Sequence, residues 1–184
     1  MGNTWQVGIA QEAVDVPGVT IVGRVGMAVV QAGAGGVFLV RSLETIKSAD
    51  LERRAQHLCM DIGSRYGQTP VVCGPSQPGF CWGAEFLQCT QPDLARLRDL
   101  LAAGTVRLPN GHETMRKAEK FVAPALPMDP PITLFIDARR AILAGGDGGA
   151  VGLALTAAVH GLEPIPEPQA APAAMPGWRT TGTG

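Results

Sequence analysis

Three cysteines near the middle of the chain are equally spaced: Cys73, Cys81 and Cys89 follow one another at intervals of eight residues. Cys81 is the one whose position favours chemistry, because residues 80–88 predict a short helix with this thiol in its first turn. The positive end of a helix dipole and the free N–H groups there stabilise a thiolate. The sequence therefore offers Cys81 as a candidate nucleophile.

The residues around Cys81, GFCWGAEF (79–86), resemble the nucleophile segment of the papain-like cysteine peptidases over about eight residues. That family places a Cys-Trp pair at the start of a helix and the partner histidine roughly 130 or more residues downstream. The resemblance implies a thiol hydrolase or transferase. Here His112 lies beside the Asn110-Gly111 turn signal, and Asp137, at the end of a predicted strand, would orient it. A papain-like arrangement would therefore use Cys81, His112 and Asp137, with a much shorter spacing.

Three other interpretations of these thiols remain open: a metal site, a disulfide and small hydrophobic core residues. Structural zinc favours Cys-x2-Cys pairs, which the spacing of eight does not supply. His57 and Cys59 are two residues apart, and such positions point to different sides of a helix. We expect no metal ion and no cofactor, and burial in a core is the alternative to a reactive Cys81.

A glycine-rich segment, residues 144–152, comes between a predicted strand and a predicted helix, as in many anion-binding loops. It lacks the Lys-Ser/Thr of a P-loop and a proper G-x-G-x-x-G pattern. Asp147 within it would repel a phosphate. The pattern favours a turn that leads into a packed, alanine-rich helix.

The first half of the chain predicts strands at 4–10, 19–31 and 37–41, a helix at 48–66 and a strand at 69–73. A meander of three strands followed by a helix and a strand resembles the start of an RNase-H-like domain. That nuclease chemistry needs carboxylates on the first strand to hold magnesium. The predicted first strand, TWQVGIA, carries none, so we do not expect a nuclease of this type.

The predicted fold is one α+β domain over residues 1–162, with an antiparallel sheet covered on one face by about three helices. The helices are expected near 48–66, 90–103 and 150–162, and residues 132–138 (ITLFIDA) are expected to form a strand. The second helix has a capping signal in Thr90 and Asp93. Residues 163–184 predict a disordered Pro/Ala-rich tail with Trp178 as its only anchor.

Composition limits the partners and the compartment. With 15 basic and 16 acidic residues the net charge is −1, so general nucleic-acid binding is not expected. The first residues lack the pattern of a secretory signal, and the apolar segments 25–40 and 141–162 are interrupted by glycines and polar residues. We expect a cytoplasmic protein with free thiols and no membrane contact.

Every catalytic signal in the sequence lacks at least one partner residue. The sequence therefore favours a small, non-catalytic binding or assembly protein that acts through protein–protein contacts with a partner or with itself. Glycine-rich strands, which allow close approach of a second subunit, and the Pro/Ala-rich tail fit this hypothesis. The alternative hypothesis is the thiol hydrolase or transferase that uses Cys81 and His112.

Overall fold

The computed structural model describes residues 4–14, 22–74, 83–108 and 131–166. These residues form six strands and four helices. The strands are β1 (Trp5–Val14), β2 (Val22–Gly33), β3 (Val37–Ser48), β4 (Val71–Gly74), β5 (Glu85–Gln88) and β6 (Val106–Arg107). The helices are α1 (Leu51–Tyr66), α2 (Gln91–Ala102), α3 (Pro131–Leu143) and α4 (Gly149–His160). The α+β class predicted from the sequence is confirmed.

The six strands form one mixed sheet in the order β5-β4-β1-β2-β3-β6. The predicted antiparallel meander is confirmed, since β2 pairs antiparallel with both β1 and β3. The prediction of a purely antiparallel sheet is wrong, because β4 pairs parallel with β1, β5 pairs parallel with β4, and β6 pairs parallel with β3. The reason lies in α1, which carries the chain back across the sheet after β3, so that β4 enters parallel to β1.

Helix α1 covers one face of the sheet through large side chains. The helix predicted at 48–66 begins at Leu51; its N-cap is Asp50, and the Asp50 carboxylate accepts a hydrogen bond from the Arg53 N–H at 3.0 Å. A cluster of buried residues joins α1 to the sheet: Val7, Ile9, Val25, Met27, Val29 and Val72 from the strands, with Ala55, Leu58, Cys59 and Ile62 from the helix.

Helix α4 covers the opposite face and approaches the strands much more closely. A Cβ atom on Gly8 would overlap the Ala154 carbonyl, and one on Gly26 would overlap the Ala150 carbonyl. The glycines of β1 and β2 therefore accommodate a helix of the same chain. The prediction that helices cover one face only is wrong, because the alternation of side chains along β1 and β2 buries apolar residues on both faces.

Residues 132–138 were expected to form a strand and instead belong to helix α3. The β-branched residues Ile132, Thr133 and Ile136 favour a strand locally. The longer segment has helical periodicity, since Phe135, Ala138 and Ile142 are buried at spacings of three and four. Pro131 stands in the first helical turn, where its missing N–H costs nothing. Tertiary packing of this face outweighs the local strand preference.

The segment before α2 also differs from expectation. Residues 80–88 were expected to form a helix, but Glu85–Gln88 is strand β5 at the edge of the sheet. The capping box of Thr90 and Asp93 is confirmed at the start of α2. The Asn110-Gly111 turn signal falls in 109–130, outside the described residues, and Val106–Arg107 pairs with β3.

The two apolar segments considered for membrane insertion are strands and short helices. In the part of the chain that the structure describes, no helix is both long and apolar enough to cross a bilayer. The predicted domain boundary at residue 162 stays a prediction. Just beyond it, Ile165 forms a bridge with Ala34 and accepts a hydrogen bond from the Gly36 N–H at 3.1 Å. Trp178 and residues 167–184 lie outside the described residues.

Candidate functional site

Of the three residues predicted for thiol catalysis, the structure describes Asp137 and neither of the other two. Cys81 and His112 both lie outside the described residues. Asp137 was expected to end a strand, and this is wrong: it is an exposed residue in the middle of helix α3, because residues 131–143 are helical. The described part of the predicted helix after Cys81 is strand β5. The catalytic use of Cys81 with His112 therefore stays a prediction.

Cys73 and Cys89 come together on the α4 face of the sheet. Cys73 is fully buried in β4, and Cys89 follows β5 and packs against the same cluster. Burial raises the pKa of the Cys73 thiol, and the neighbouring Cys89 thiol raises it further. Burial also raises the pKa of Cys89; the Cys73 thiol lowers it, and the carboxylates of Asp93 and Asp147 raise it. Both groups are protonated thiols at neutral pH, which is unlike an activated nucleophile.

Cys59 is buried on the other side of the sheet, under helix α1. Burial raises the pKa of its thiol to about 12. Cys59, Cys73 and Cys89 are all free thiols, as the sequence predicts for these three positions. Cys59 thus behaves as a small core residue, and Cys73 and Cys89 are the described cysteines that form a pair.

A polar network begins one residue after Cys89. The Asp93 carboxylate accepts hydrogen bonds from the Thr90 N–H at 2.9 Å and the Thr90 hydroxyl at 2.6 Å. Its other oxygen lies 3.3 Å from Nδ1 of His160, at the end of α4. Burial opposes ionisation of Asp93, but the Thr90 hydrogen bonds and the imidazole outweigh it and lower the pKa of Asp93. The network therefore fastens the start of α2 to the end of α4.

Two arginines of α2 complete this connection between helices. The Arg96 guanidinium donates to the carbonyls of His160 at 3.1 Å and Leu162 at 3.3 Å. Arg98 donates to the Ile142 carbonyl near the end of α3 at 3.1 Å. Carbonyls at helix ends lack partners within their own helix, and arginine satisfies them. These arginines are therefore used in holding the three helices together.

The predicted anion-binding segment holds carboxylates of the chain itself. At the start of α4, Asp147 accepts from the Gly149 N–H at 2.9 Å and Glu12 accepts from the Ala150 N–H at 3.0 Å. This confirms a turn that leads into a packed helix. Glu12 escaped the sequence analysis because β1 was expected to end at Ala10, whereas it continues to Val14. The first strand does carry a carboxylate, and that carboxylate caps a helix.

Glu44 is the second acidic residue that sequence reasoning missed. It faces the α1 side of the sheet from β3 and is 5% exposed. Its Oε1 accepts a hydrogen bond from Ser42 at 3.2 Å, while its Oε2 is buried without a partner in the structure as described. Burial raises the pKa of Glu44, and the Ser42 hydrogen bond only partly offsets this. The local sequence gives no signal that Glu44 is buried, because β3 was expected to end at Arg41.

Metal ligation has no candidate within the described ranges. Among those residues, no group of three or more His, Cys, Asp or Glu side chains is arranged to hold a metal ion.

Helix α3 displays the most unusual surface in the described part of the chain. Its inner side is buried, yet Ile132, Ile136 and Leu143 are exposed by 57%, 47% and 37%. With Arg139 between them, these residues recur at spacings of four, three and four, so they form one line along the helix. We call Ile132, Ile136, Arg139 and Leu143 the α3 stripe. The flank beside it carries the exposed Asp137 and Arg140.

No protein-family model, no curated protein and no solved structure matches this chain.

Proposed function

We propose that this chain is a non-catalytic assembly protein that associates with a second copy of itself through the α3 stripe. The observation that carries the proposal is the exposure of three large aliphatic side chains in one line on a helix whose other side is already in the core. Isolated exposed apolar residues are ordinary on protein surfaces, whereas an aligned set marks an interaction surface.

The spacing of the α3 stripe fits a helix as its partner. Intervals of four and three residues are those of the contact line between two packed helices. In an antiparallel pair related by a two-fold axis, Ile132 of one copy faces Leu143 of the other, and Ile136 faces Arg139. The aliphatic stem of arginine can cover an apolar neighbour while its charged end stays in water. The α3 stripe is therefore self-complementary.

The charges on the flank favour the same arrangement. The antiparallel pair brings like flanks together, with Asp137 of one copy about two residues, or roughly 3 Å, along the axis from Arg140 of the other. Around the helix, Arg140 lies about 70° and Asp137 about 130° from the α3 stripe, so these opposite charges attract across the edge of the interface without forming an ion pair. Each two-fold pair has this attraction twice. A second copy thus supplies both the apolar and the charged counterpart of this helix, which an arbitrary partner need not do.

The contact predicts weak association. Helix α3 has 13 residues and is about 20 Å long, so it buries less than the roughly 800 Å² per partner of a standard interface. We expect a dissociation constant between about 1 µM and 1 mM. Assembly would therefore depend on local concentration.

Sedimentation equilibrium over a wide range of protein concentration tests the proposal with a matched pair of variants. Ile136→Asp places a charge in the middle of the α3 stripe and should weaken self-association at least tenfold. Met60→Asp is the control, because Met60 is 58% exposed on α1, away from the stripe. It should leave the dissociation constant unchanged. A wild-type chain that stays monomeric at millimolar concentration, or a dimer indifferent to Ile136→Asp, would disprove the proposal.

A further inference from the structure

The pair formed by Cys73 and Cys89 has a geometry that goes beyond two buried thiols. Cys73 is the register partner of Leu87 in the parallel pair of β4 and β5. Cys89 lies two residues beyond Leu87 and therefore on the same side of the sheet. The two thiols are close enough for each to change the pKa of the other. No comparable neighbour is described for Cys59, which lies on the opposite face.

The two members differ in access and in their place in the fold. Cys73 is fully buried within a strand, while Cys89 is half-buried. Cys89 belongs to the two-residue connection between the end of β5 at Gln88 and the start of α2 at Gln91. A small reagent can therefore reach Cys89 first, and disulfide geometry requires a short movement of this connection toward Cys73.

We propose that Cys73 and Cys89 are a reversible oxidation site, which forms an intramolecular disulfide when the folded protein meets a small disulfide such as oxidised glutathione. Cys89 loses its proton to solvent and attacks one glutathione sulfur, which forms a mixed disulfide and releases one glutathione thiolate. Cys73 then loses its proton and attacks the Cys89 sulfur, which releases the second glutathione thiolate. Two protein thiols are oxidised, and one oxidised glutathione is reduced to two thiols.

The cross-link would act at one edge of the sheet in the described chain. Strand β5 has four residues and pairs with β4 alone. A bond from Cys89 to Cys73 fastens the end of β5 and the start of α2 to the interior of the sheet. It also encloses residues 74–88, including Cys81, in a covalent loop. Closing a loop of this kind restricts the unfolded chain, so the oxidised form should have the higher Tm.

Peptide mapping by mass spectrometry tests this site on the full chain. Reduced, folded protein is incubated with oxidised glutathione, and the remaining thiols are then blocked with iodoacetamide. We expect the loss of two hydrogen atoms per chain, one peptide that links Cys73 to Cys89, and an increase of several degrees in Tm. Dithiothreitol should reverse all three changes.

Two variants separate the steps of the reaction. Cys73→Ser should stop at the mixed disulfide between Cys89 and glutathione, because the second thiol is missing. Cys59→Ser is the control and should form the Cys73–Cys89 link at the wild-type rate. A link that involves Cys81 in place of either partner would overturn the proposal. Wild-type protein in which iodoacetamide labels both Cys73 and Cys89, when it is added with denaturant after the incubation with oxidised glutathione, would also overturn it, and this result needs no variant.

Discussion

The two faces of the sheet are covered by helices in different ways. On one face, α1 packs through long side chains such as Leu58 and Ile62 against Val25 and Met27. On the other face, α4 lies so close that its backbone touches Gly8 and Gly26. The difference teaches that a glycine in a strand can be a packing residue, because it lets a helix approach where a side chain would keep it away.

The two covered faces also differ in what lies outside the helix that packs on the sheet. Helix α4 is buried along most of its length, because α2 and α3 pack over it. The α4 face therefore carries a second layer of helices, whereas α1 is exposed directly to solvent. The outward side of α1 carries polar residues such as Glu52, Arg53 and His57. The outward side of α3 carries the α3 stripe, which is the surface that we propose for self-association.

Substitution of Gly8 should disrupt the packing of α4 against the sheet and lower the stability more than any other substitution proposed here. In Gly8→Ala, the new Cβ would overlap the Ala154 carbonyl and approach the Ala158 N–H, both of which are rigid backbone. Overpacking of this kind costs about 1–3 kcal/mol or more. The free energy of unfolding, measured by urea denaturation, should fall by at least this amount.

Gly63→Ala is the matched control on the other side of the sheet. Gly63 lies within α1, and a Cβ there would meet no atom nearer than 3.9 Å. Alanine favours a helix over glycine by up to about 1 kcal/mol, so this variant should be more stable than the wild type. Equal destabilisation by the two substitutions would show that the two faces do not differ as described.

How far the sequence predicts this molecule depends on whether a signal is local. The meander, α1, α2 and α4 follow from periodicity, caps and glycine turns, which neighbouring residues fix. Helix α3 was misread because Ile132, Thr133 and Ile136 favour a strand locally, while burial of Phe135 and Ile142 decides the outcome. The second covered face was missed because the glycines of the strands were interpreted as room for a second subunit, whereas Gly8 and Gly26 are the residues on which α4 packs.

The candidate sites depend even more on distant contacts. The Cys73–Cys89 pair requires β4 and β5 to be neighbours in register, and β5 was expected to be helical. Asp93 was recognised as a capping residue, yet its contact with His160 joins positions 67 residues apart. Exposure of Ile136 appears only once α3 is known to be a helix with its other side buried. In a strand, where alternate residues share a face, Ile132 and Ile136 would lie on the opposite side from Leu143.

Glu44 offers a smaller test on the α1 face. Burial raises the pKa of Glu44 above its ordinary value of 4.5, so the folded protein holds this proton at a pH where the unfolded chain has released it. Stability therefore falls as the pH rises from about 4.5 through the folded-state pKa. Glu44→Gln removes this loss, and its unfolding free energy should exceed that of the wild type at neutral pH.

Measuring the unfolding free energy of Glu44→Gln over a range of pH shows whether its advantage comes from the buried carboxylate. The advantage of Glu44→Gln should shrink as the pH falls toward 4.5 and vanish below it, because the wild-type carboxyl is then neutral in both states. Glu85→Gln, at an exposed position on β5, should change stability by less than about 0.5 kcal/mol at every pH. A Glu44→Gln variant that is less stable than the wild type at neutral pH would contradict the burial of an ionisable carboxyl.

The most direct test of self-association through the α3 stripe exchanges the charges on its flank. Asp137→Arg and Arg140→Asp each turn both proposed attractions between the copies into repulsions, so each variant alone should associate more weakly than the wild type. A mixture of the two restores both attractions in one heterodimer. In an equal mixture, native mass spectrometry should therefore show the heterodimer well above the half of all dimers that random pairing gives. A statistical distribution of the three species would contradict an antiparallel α3 pair.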